Sequence, residues 1–170
     1  MLPAPMDDAT NLHCLIEIPR GSRNKYEWDE ELQAIKLNRF LFSSVVYPTD
    51  YGFVTETIGP HGDALDALVC VSAATFPGCL IAVRPVGVLR MTDEEGQSDK
   101  LVCVPTDDPA WEDVDDLEAL PSQLRVEIEH FYSMYKQPEG KDVDVQGWDD
   151  ARAAAEAVEE ARSRYQEEYS

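Results

Sequence analysis

Apolar and polar positions alternate over short stretches through the first two-thirds of the chain, a pattern typical of β-strands. The strand-like runs cover residues 11–19, 25–28, 67–71, 79–91 and 100–104. Pro85 and Gly87 interrupt the longest run, which indicates an edge, a bulge or a barrel corner. Short strands with frequent turns predict a small barrel or sandwich.

Polar turns separate these runs. Residues 29–31 and 93–96 are predicted to form hairpin tips, and residues 37–46 are interpreted as strand followed by turn. Residues 47–53 carry two tyrosines, a proline and a glycine, and we interpret them as a turn rich in aromatic side chains.

The last third of the chain follows a helical period instead. A helix that begins near Pro121 and Ser122 places apolar residues at steps of four, three and four on one stripe. The stripe consists of Leu124, Ile128, Phe131 and Tyr135. Residues 111–120 predict a short acidic helix, and residues 148–169, rich in Ala and Glu, predict a longer one capped by Asp149 or Asp150.

These patterns predict an α+β chain that is mainly β. Its 170 residues suffice for one domain with a real core. With no repeat or linker, we expect one domain over residues 1–170, preceded by a flexible tail at residues 1–10.

The net charge of −20 excludes broad classes of partner. Nucleic acids and anionic membrane surfaces require clustered Lys and Arg, so we expect neither as a partner. No apolar run approaches the ~20 residues of a membrane span. Residues 1–10 lack the basic and apolar segments of a secretory signal, so a cytoplasmic protein is expected.

The cysteines are expected to be reduced and structural. None belongs to a C-x-x-C pair, so a thiolate zinc site is not predicted. They are Cys14, Cys70, Cys79 and Cys103. Cys14, Cys70 and Cys103 lie in the interior of apolar strand-like segments, where a thiol acts as a small buried hydrophobe.

Candidate chemistry is concentrated where a turn leads into the run at residues 67–71. Asp63 and Asp66 lie three residues apart there. Two close carboxylates repel each other at neutral pH, and a hard cation such as Mg²⁺ removes that repulsion. A solvated acidic turn accounts for this stretch equally well.

Other polar residues interrupt segments that otherwise look structural. They are Glu17, Lys25, Glu27, Arg39, Tyr47, Tyr51, Asp93, Lys100, Tyr135 and Lys136. Carboxylates hold cations, while Lys, Arg and Tyr hold anionic oxygens, a mixture that metal-dependent phosphoryl transfer requires. Taken alone, the spacing is also compatible with ordinary polar strand faces.

A series of motifs in fixed order resembles the soluble family I inorganic pyrophosphatases, of the bacterial type. The matching segments are I-E-I-P, K-Y-E, R-F, Y-P-T-D-Y-G-F, G-D-A-L-D-A-L-V, F-P-G, R-P-V-G-V-L-R-M-T-D-E, K-L-V-C-V-P, H-F-Y-S-M-Y-K and G-W. The resemblance implies a five-stranded OB-like closed barrel with flanking C-terminal helices. It also implies hydrolysis of pyrophosphate to two phosphates with Mg²⁺, and a homohexamer.

The same resemblance implies roles for individual residues. Asp63 resembles the general base, and Tyr51, a member of the phosphate-binding set, is a further candidate for catalysis. The rest of that set is Lys25, Arg39, Lys100, Tyr135 and Lys136. The metal-side residues are Asp63, Asp66, Asp93, Glu17 and Glu27.

The chain departs from the family signature at the metal side. Where the family has D-x-D-P-x-D, this chain reads H-G-D-A-L-D, so His61 occupies the place of a metal-binding Asp. Ser98 occupies the place of another, with Asp99 one residue away. Imidazole suits Mn²⁺, Co²⁺ or Zn²⁺ better than Mg²⁺, so His61 is a further candidate ligand. Asp99 is another, provided that the hairpin is loose enough to bring its side chain round.

Three hypotheses follow from these substitutions. The first is a working pyrophosphatase with altered metal preference. The second is a pyrophosphatase-like protein with weak or no activity, which binds phosphate compounds or serves as an oligomer subunit. The third is an OB-like module without a ligand, and the retained phosphate-binding set speaks against it.

Overall fold

The computed structural model describes residues 12–170; the expected tail at residues 1–10 lies outside them. The nine strands of this part are β1 (Leu12–Ile18), β2 (Asn24–Asp29), β3 (Ala34–Phe40), β4 (Asp50–Val54), β5 (Asp66–Val69), β6 (Leu80–Asp93), β7 (Gly96–Gln97), β8 (Lys100–Pro105) and β9 (Asp144–Asp149). The two α-helices are α1 (Ser122–Met134) and α2 (Ala151–Tyr169).

Five strands close into a hydrogen-bonded ring. β1 pairs with β4, β4 with β5, β5 with β8, β8 with β6, and β6 returns to β1. All of these pairings are antiparallel except that of β5 with β8. β7 and β9 extend the sheet from β6, while β2 and β3 form a separate hairpin. The predicted five-stranded OB-like arrangement with C-terminal helices is confirmed.

Two local features let the ring close. The pairing of β6 with β8 shifts register between Pro85 and Gly87, so the predicted interruption is a bulge within a continuous strand. At Gly52, where β4 crosses β1, an added Cβ atom would overlap the carbonyl oxygen of Leu15. Only glycine permits that approach of two backbones.

The ring strands are buried on both faces. On β5, Ala67 and Val69 belong to one apolar cluster with Ala154 and Val158 of α2. Leu68, between them, belongs to a second cluster that includes residues of α1. Burial on both faces explains why these strands read as continuous apolar runs. Cys14, Cys70 and Cys103 are buried free thiols in these clusters, as expected.

The helices agree with the periodicity. Ile128 and Phe131 of α1 are buried, as is Tyr135 just after it. Asp150 caps α2, because its side chain accepts a hydrogen bond from the Ala153 amide at 3.0 Å. None of the helices within residues 12–170 is long and apolar enough to cross a membrane.

Three local predictions were wrong. Residues 50–53 of the expected aromatic turn belong to β4, whose backbone pairs with strands on both sides. Residues 111–120 contain no α-helix; short 3₁₀ turns flank a loop whose carbonyl oxygens, at Trp111 and Val114, accept from the Arg84 guanidinium. Trp148 lies in β9 rather than in the last helix, because β6 offers an edge for pairing.

Candidate active site

Two cavities meet at one end of the ring. The first, which we call the cationic pocket, has a volume of about 180 Å³ and is lined by three lysines and four tyrosines: Lys25, Lys100, Lys136, Tyr47, Tyr51, Tyr132 and Tyr135. The second, which we call the acidic groove, has a volume of about 530 Å³, and its lining includes His61, Asp63, Asp99, Glu156 and Glu160. Four residues line both: Asp66, Asp93, Glu95 and Ser98.

Strand register brings the opposite charges together. β5 and β8 run parallel with Ala67 opposite Leu101, so their first residues, Asp66 and Lys100, begin neighbouring strands at the same edge. Asp93 ends β6 nearby, and the end of α1 supplies Tyr135 and Lys136. Residues that are far apart in sequence therefore surround one cavity.

Lys100 is held by several groups at once. Its side chain is only 6 % exposed, and its Nζ donates to Asp66 Oδ2 at 2.8 Å and to Ser98 Oγ at 3.1 Å. The ammonium also lies 5.5 Å from the centre of the Tyr51 ring. Burial, together with the charge of Asp66, raises the pKa of Tyr51 well above its usual value. Tyr51 therefore keeps its proton and can donate a hydrogen bond.

Lys136 pairs with the carboxylates at the end of β6. Its Nζ lies 3.4 Å from Asp93 Oδ2 and 3.2 Å from Glu94 Oε1. Burial would lower the pKa of Lys136, but Tyr135 and these carboxylates raise it above the usual value. The pKa of Asp93 is lowered, because the amide of Glu95 and the ammonium of Lys136 outweigh burial.

Of the three lysines that line the cationic pocket, Lys25 is the one without an ion pair in the part of the chain that the structure describes. Within residues 12–170 no carboxylate lies within ion-pairing distance of its ammonium. Burial lowers its pKa, and the positive charges of Arg39, Lys136 and Lys100 lower it further. An anion in the cationic pocket would relieve this repulsion, which marks the pocket as an anion site.

Burial and neighbouring negative charge oppose the ionisation of Glu17. Glu17 of β1 accepts a hydrogen bond from the Trp28 amide at 2.8 Å. Burial raises the pKa of Glu17 to about 7, and the negative charges of Asp66 and Glu27 add to the effect. A cation bound near Glu17 would lower that pKa again.

Three of the predicted residues, His61, Asp63 and Asp99, line the acidic groove rather than the cationic pocket. His61 and Asp63 are exposed on the loop before β5. Asp99 accepts from Arg90 Nη1 at 2.7 Å and also from Gln97, so its carboxylate is already paired. Arg90 in turn pairs with Asp149 at 2.6 Å, which ties the groove wall to β9. Arg39 lines neither cavity; it pairs with Glu139 and lies across the hairpin from Lys25, which lines the cationic pocket.

The donor set fits a divalent metal ion, as the resemblance implies. Within residues 12–170 no three His, Cys, Asp or Glu side chains converge as a preformed metal cage. Mg²⁺ does not need one, because it keeps several waters and binds one or two carboxylates together with substrate phosphates. Asp66 and Asp93, where the two cavities meet, provide such carboxylates next to an anion pocket.

Sequence reasoning missed several residues of this site. Tyr132 lines the cationic pocket, Glu94 binds Lys136, and Glu139 binds Arg39. Tyr132 was detectable, because it lies three positions before Tyr135 and so shares its face of α1. Nothing in the polar segment around Glu139 distinguishes it from an ordinary surface turn.

Comparison with known proteins identifies the class to which this fold and site belong. The family model for inorganic pyrophosphatase matches residues 14–166. The chain is 53 % identical over 153 residues to the inorganic pyrophosphatase of Methanosarcina acetivorans, covering 90 % of this chain and 91 % of the relative. It is 49 % identical over 154 residues to that of Streptomyces coelicolor, covering 90 % and 94 %. A crystal structure of inorganic pyrophosphatase from Thermus thermophilus superposes with a TM-score of 0.93 at 41 % identity, covering 97 % of both chains.

The chain belongs to the inorganic pyrophosphatase family. The prediction drawn from its motifs is thereby confirmed for the family and for its fold. The roles of individual site residues stay predictions.

Proposed function

We propose that this protein hydrolyses inorganic pyrophosphate to two phosphates with a divalent metal ion, Mg²⁺ in the first place. The observation that carries the proposal is the junction of the two cavities. There, lysine and tyrosine side chains line the same small cavity as the carboxylates of Asp66, Asp93 and Glu95. A small phosphate compound with a bound metal cation is complementary to this junction, because its phosphate oxygens match the lysines and its cation matches the carboxylates.

The cationic pocket binds the phosphate oxygens. Lys25, Lys100 and Lys136 supply positive charge, and the hydroxyl groups of Tyr51 and Tyr135 donate hydrogen bonds. Burial raises the pKa of Tyr135 to about 12, so its hydroxyl stays protonated at any physiological pH. Charge-assisted bonds of this kind are the strong ones, and in a partly buried pocket they are screened little by salt.

Asp63 is the proposed general base. Its carboxylate accepts a proton from water as the water oxygen attacks one phosphorus; the bridging P–O bond breaks and two phosphates result. When bound, a divalent cation supplies charge neutralisation and a more acidic water. Asp66 and Asp93 are the proposed principal ligands, with Glu17 and Glu27 acting beside them.

A protein that binds phosphate compounds with weak or no turnover is the second candidate. The observation that favours it is the hydrogen bond from Lys100 to Ser98, at the position where the resemblance implies a metal-binding Asp. One carboxylate fewer weakens a metal site. The retained cations preserve anion binding in either case.

Phosphate release by the metal-stripped protein tests the proposal. Mg²⁺, Mn²⁺, Co²⁺ and Zn²⁺ are added back separately, with pyrophosphate as substrate and Asp63→Asn as the matched inactive variant. We expect release with Mg²⁺ in the unmodified protein and a large loss in Asp63→Asn. Preference for a softer ion would support His61 as a ligand, and no release with any ion would favour the second candidate.

The proposal extends to the oligomeric state of the protein and to its cellular location. A homohexamer is the expected assembly, and three exposed aromatic side chains support self-association: Phe40, Phe42 and Phe76. The free cysteines support a reducing, cytoplasmic setting. Light scattering after size-exclusion chromatography tests the assembly, and a monomeric mass would contradict it.

A further inference from the structure

Arg39 and Glu139 form an ion pair across one hundred positions of the sequence. Nε of Arg39 lies 2.9 Å from Oε1 of Glu139, and Nη2 donates to Oε2 at 3.3 Å. Arg39 belongs to β3, in the separate hairpin, and Glu139 ends the 3₁₀ turn Gln137–Glu139 after α1. The pair therefore joins the hairpin to the segment that carries Tyr135 and Lys136.

The carboxylate is the more buried member of the pair. The side chain of Glu139 is 7 % exposed, and that of Arg39 is 23 % exposed. If Arg39 left the pair, a buried carboxylate would lose its counter-charge, which is strongly unfavourable. We therefore expect the pair to stay closed when an anion binds nearby.

The guanidinium keeps donors for a ligand while it is paired. Nη2 donates to Glu139, and Nη1 donates to Asn38 at 3.0 Å. Each terminal nitrogen of an arginine carries two N–H groups, so one on each stays available. Arg39 can thus bind an anionic oxygen without releasing Glu139.

Two observations place this guanidinium beside the cationic pocket. Arg39 is the cross-strand partner of Lys25, which lines the pocket. Its charge also acts on pocket groups: after burial, it is the largest contributor to the lowered pKa of Lys25. It further opposes, after Lys136, the rise that burial causes in the pKa of Tyr135.

We propose that Glu139 is a positioning residue, which fixes the guanidinium of Arg39 beside the cationic pocket so that its free N–H groups bind a phosphate oxygen. This role rests on the proposed function and deepens it, because phosphate is the product of pyrophosphate hydrolysis and forms each half of the substrate. The opposite arrangement, in which Glu139 competes with phosphate for Arg39, predicts tighter phosphate binding when Glu139 is removed.

The test is the affinity of the full-length protein with Mg²⁺ for inorganic phosphate, measured by calorimetry. We expect Glu139→Gln to weaken binding about tenfold, since a charge-assisted contact is then poorly oriented. In an Arg39→Ala background the same change should have no further effect, because Glu139 acts through Arg39. Glu139→Asp should restore part of the affinity. Glu127→Gln, on the exposed surface of α1, is the matched control and should leave it unchanged.

Several results would overturn the role. They are unchanged or tighter binding in Glu139→Gln, an equal further loss in the Arg39→Ala background, or no phosphate binding by the unmodified protein. If Glu139→Gln does not fold, Arg39→Lys replaces it, since lysine keeps the charge but cannot form the two-point pair; unchanged binding would again overturn the role. Turnover is not needed, so an inactive protein showing the expected affinities would refute only the proposed function.

Discussion

The side-chain nitrogen of Lys100 lies 2.8 Å from Oδ2 of Asp66, and the two residues begin neighbouring parallel strands. Lys100 is almost fully buried, whereas Asp66 is 39 % exposed and faces the junction of the two cavities. The lysine is therefore fixed by the fold, while the carboxylate keeps an oxygen accessible. In this position Lys100 can bind a phosphate oxygen without losing its partner.

Replacing Lys100 tests this arrangement directly. Lys100→Met keeps most of the side-chain volume but removes the ammonium, and we expect kcat for pyrophosphate to fall by about 10²–10³. Lys36→Met is the control, because Lys36 pairs with Asp29 at the surface of the hairpin. Steady-state kinetics at saturating Mg²⁺ measures both variants. An unchanged kcat in Lys100→Met would remove Lys100 from the site.

This pair also marks where prediction from sequence ends. The motifs identified Asp66 and Lys100 separately. The hydrophobic pattern placed Lys100 at the start of a strand and Asp66 in the turn just before one, whereas Asp66 is the first residue of β5. Which strands are neighbours depends on the parallel pairing of β5 with β8, a contact between distant segments with no local signal. The ring could be anticipated only through the resemblance, because periodicity alone allowed a barrel or a sandwich.

The local errors have a similar origin. Residues 50–53 carry turn-forming residues, yet partners on both sides make them part of a central strand. Glu139 was invisible to pattern reasoning, because its importance comes from Arg39, one hundred residues away. Tertiary contacts override local propensity in both places.

Because Ser98 occupies the place of a metal-binding Asp, we expect a weak metal site that one substitution can strengthen. Ser98 Oγ accepts from Lys100 at 3.1 Å, so an aspartate there would bring a second carboxylate close to Asp66. We expect Ser98→Asp to lower the Mg²⁺ concentration needed for half-maximal activity, by about tenfold if outer-shell effects are a guide.

Direct binding distinguishes this from a general charge effect. Ser163→Asp, at an exposed position on α2, adds the same charge outside both cavities and should leave Mg²⁺ dependence unchanged. Calorimetric titration of Mg²⁺ into the substrate-free variants provides a readout independent of turnover. Equal affinities in Ser98→Asp and the unmodified protein would show that position 98 does not contact the ion.

We expect that removal of the Tyr135 hydroxyl weakens the binding of the substrate's phosphate groups. Tyr135 lines the cationic pocket, and the ammonium of Lys136 lies 5.6 Å from the centre of its ring. Because its pKa is raised to about 12, the hydroxyl remains a donor across the working pH range. We expect Tyr135→Phe to raise KM about tenfold, as loss of a hydrogen bond to a charged group costs roughly 1.5–3 kcal/mol. Tyr165→Phe, on α2, is the control.

The raised pKa of Glu17 leads us to expect that the stability of the metal-free protein depends on pH. Its pKa is raised in the folded state to about 7 from the ordinary 4.5. Its stabilising contribution is therefore complete below pH 4.5 and is lost as pH rises through 7. Glutamine resembles the neutral form, so we expect Glu17→Gln to unfold with a larger free energy at pH 8, by up to about 3 kcal/mol, and with little difference at pH 4.5.

Chemical denaturation of the metal-free protein at these two pH values measures the effect as a difference between variants. That difference cancels the contributions of the other carboxylates, which both proteins share. Glu159→Gln, exposed on α2, is the charge-matched control and should show no such pH-dependent gain. Saturating Mg²⁺ should reduce the advantage of Glu17→Gln, because a nearby cation stabilises the ionised carboxylate. A constant difference between the variants from pH 4.5 to 8 would show that neither burial nor the charges of Asp66 and Glu27 raise the pKa of Glu17.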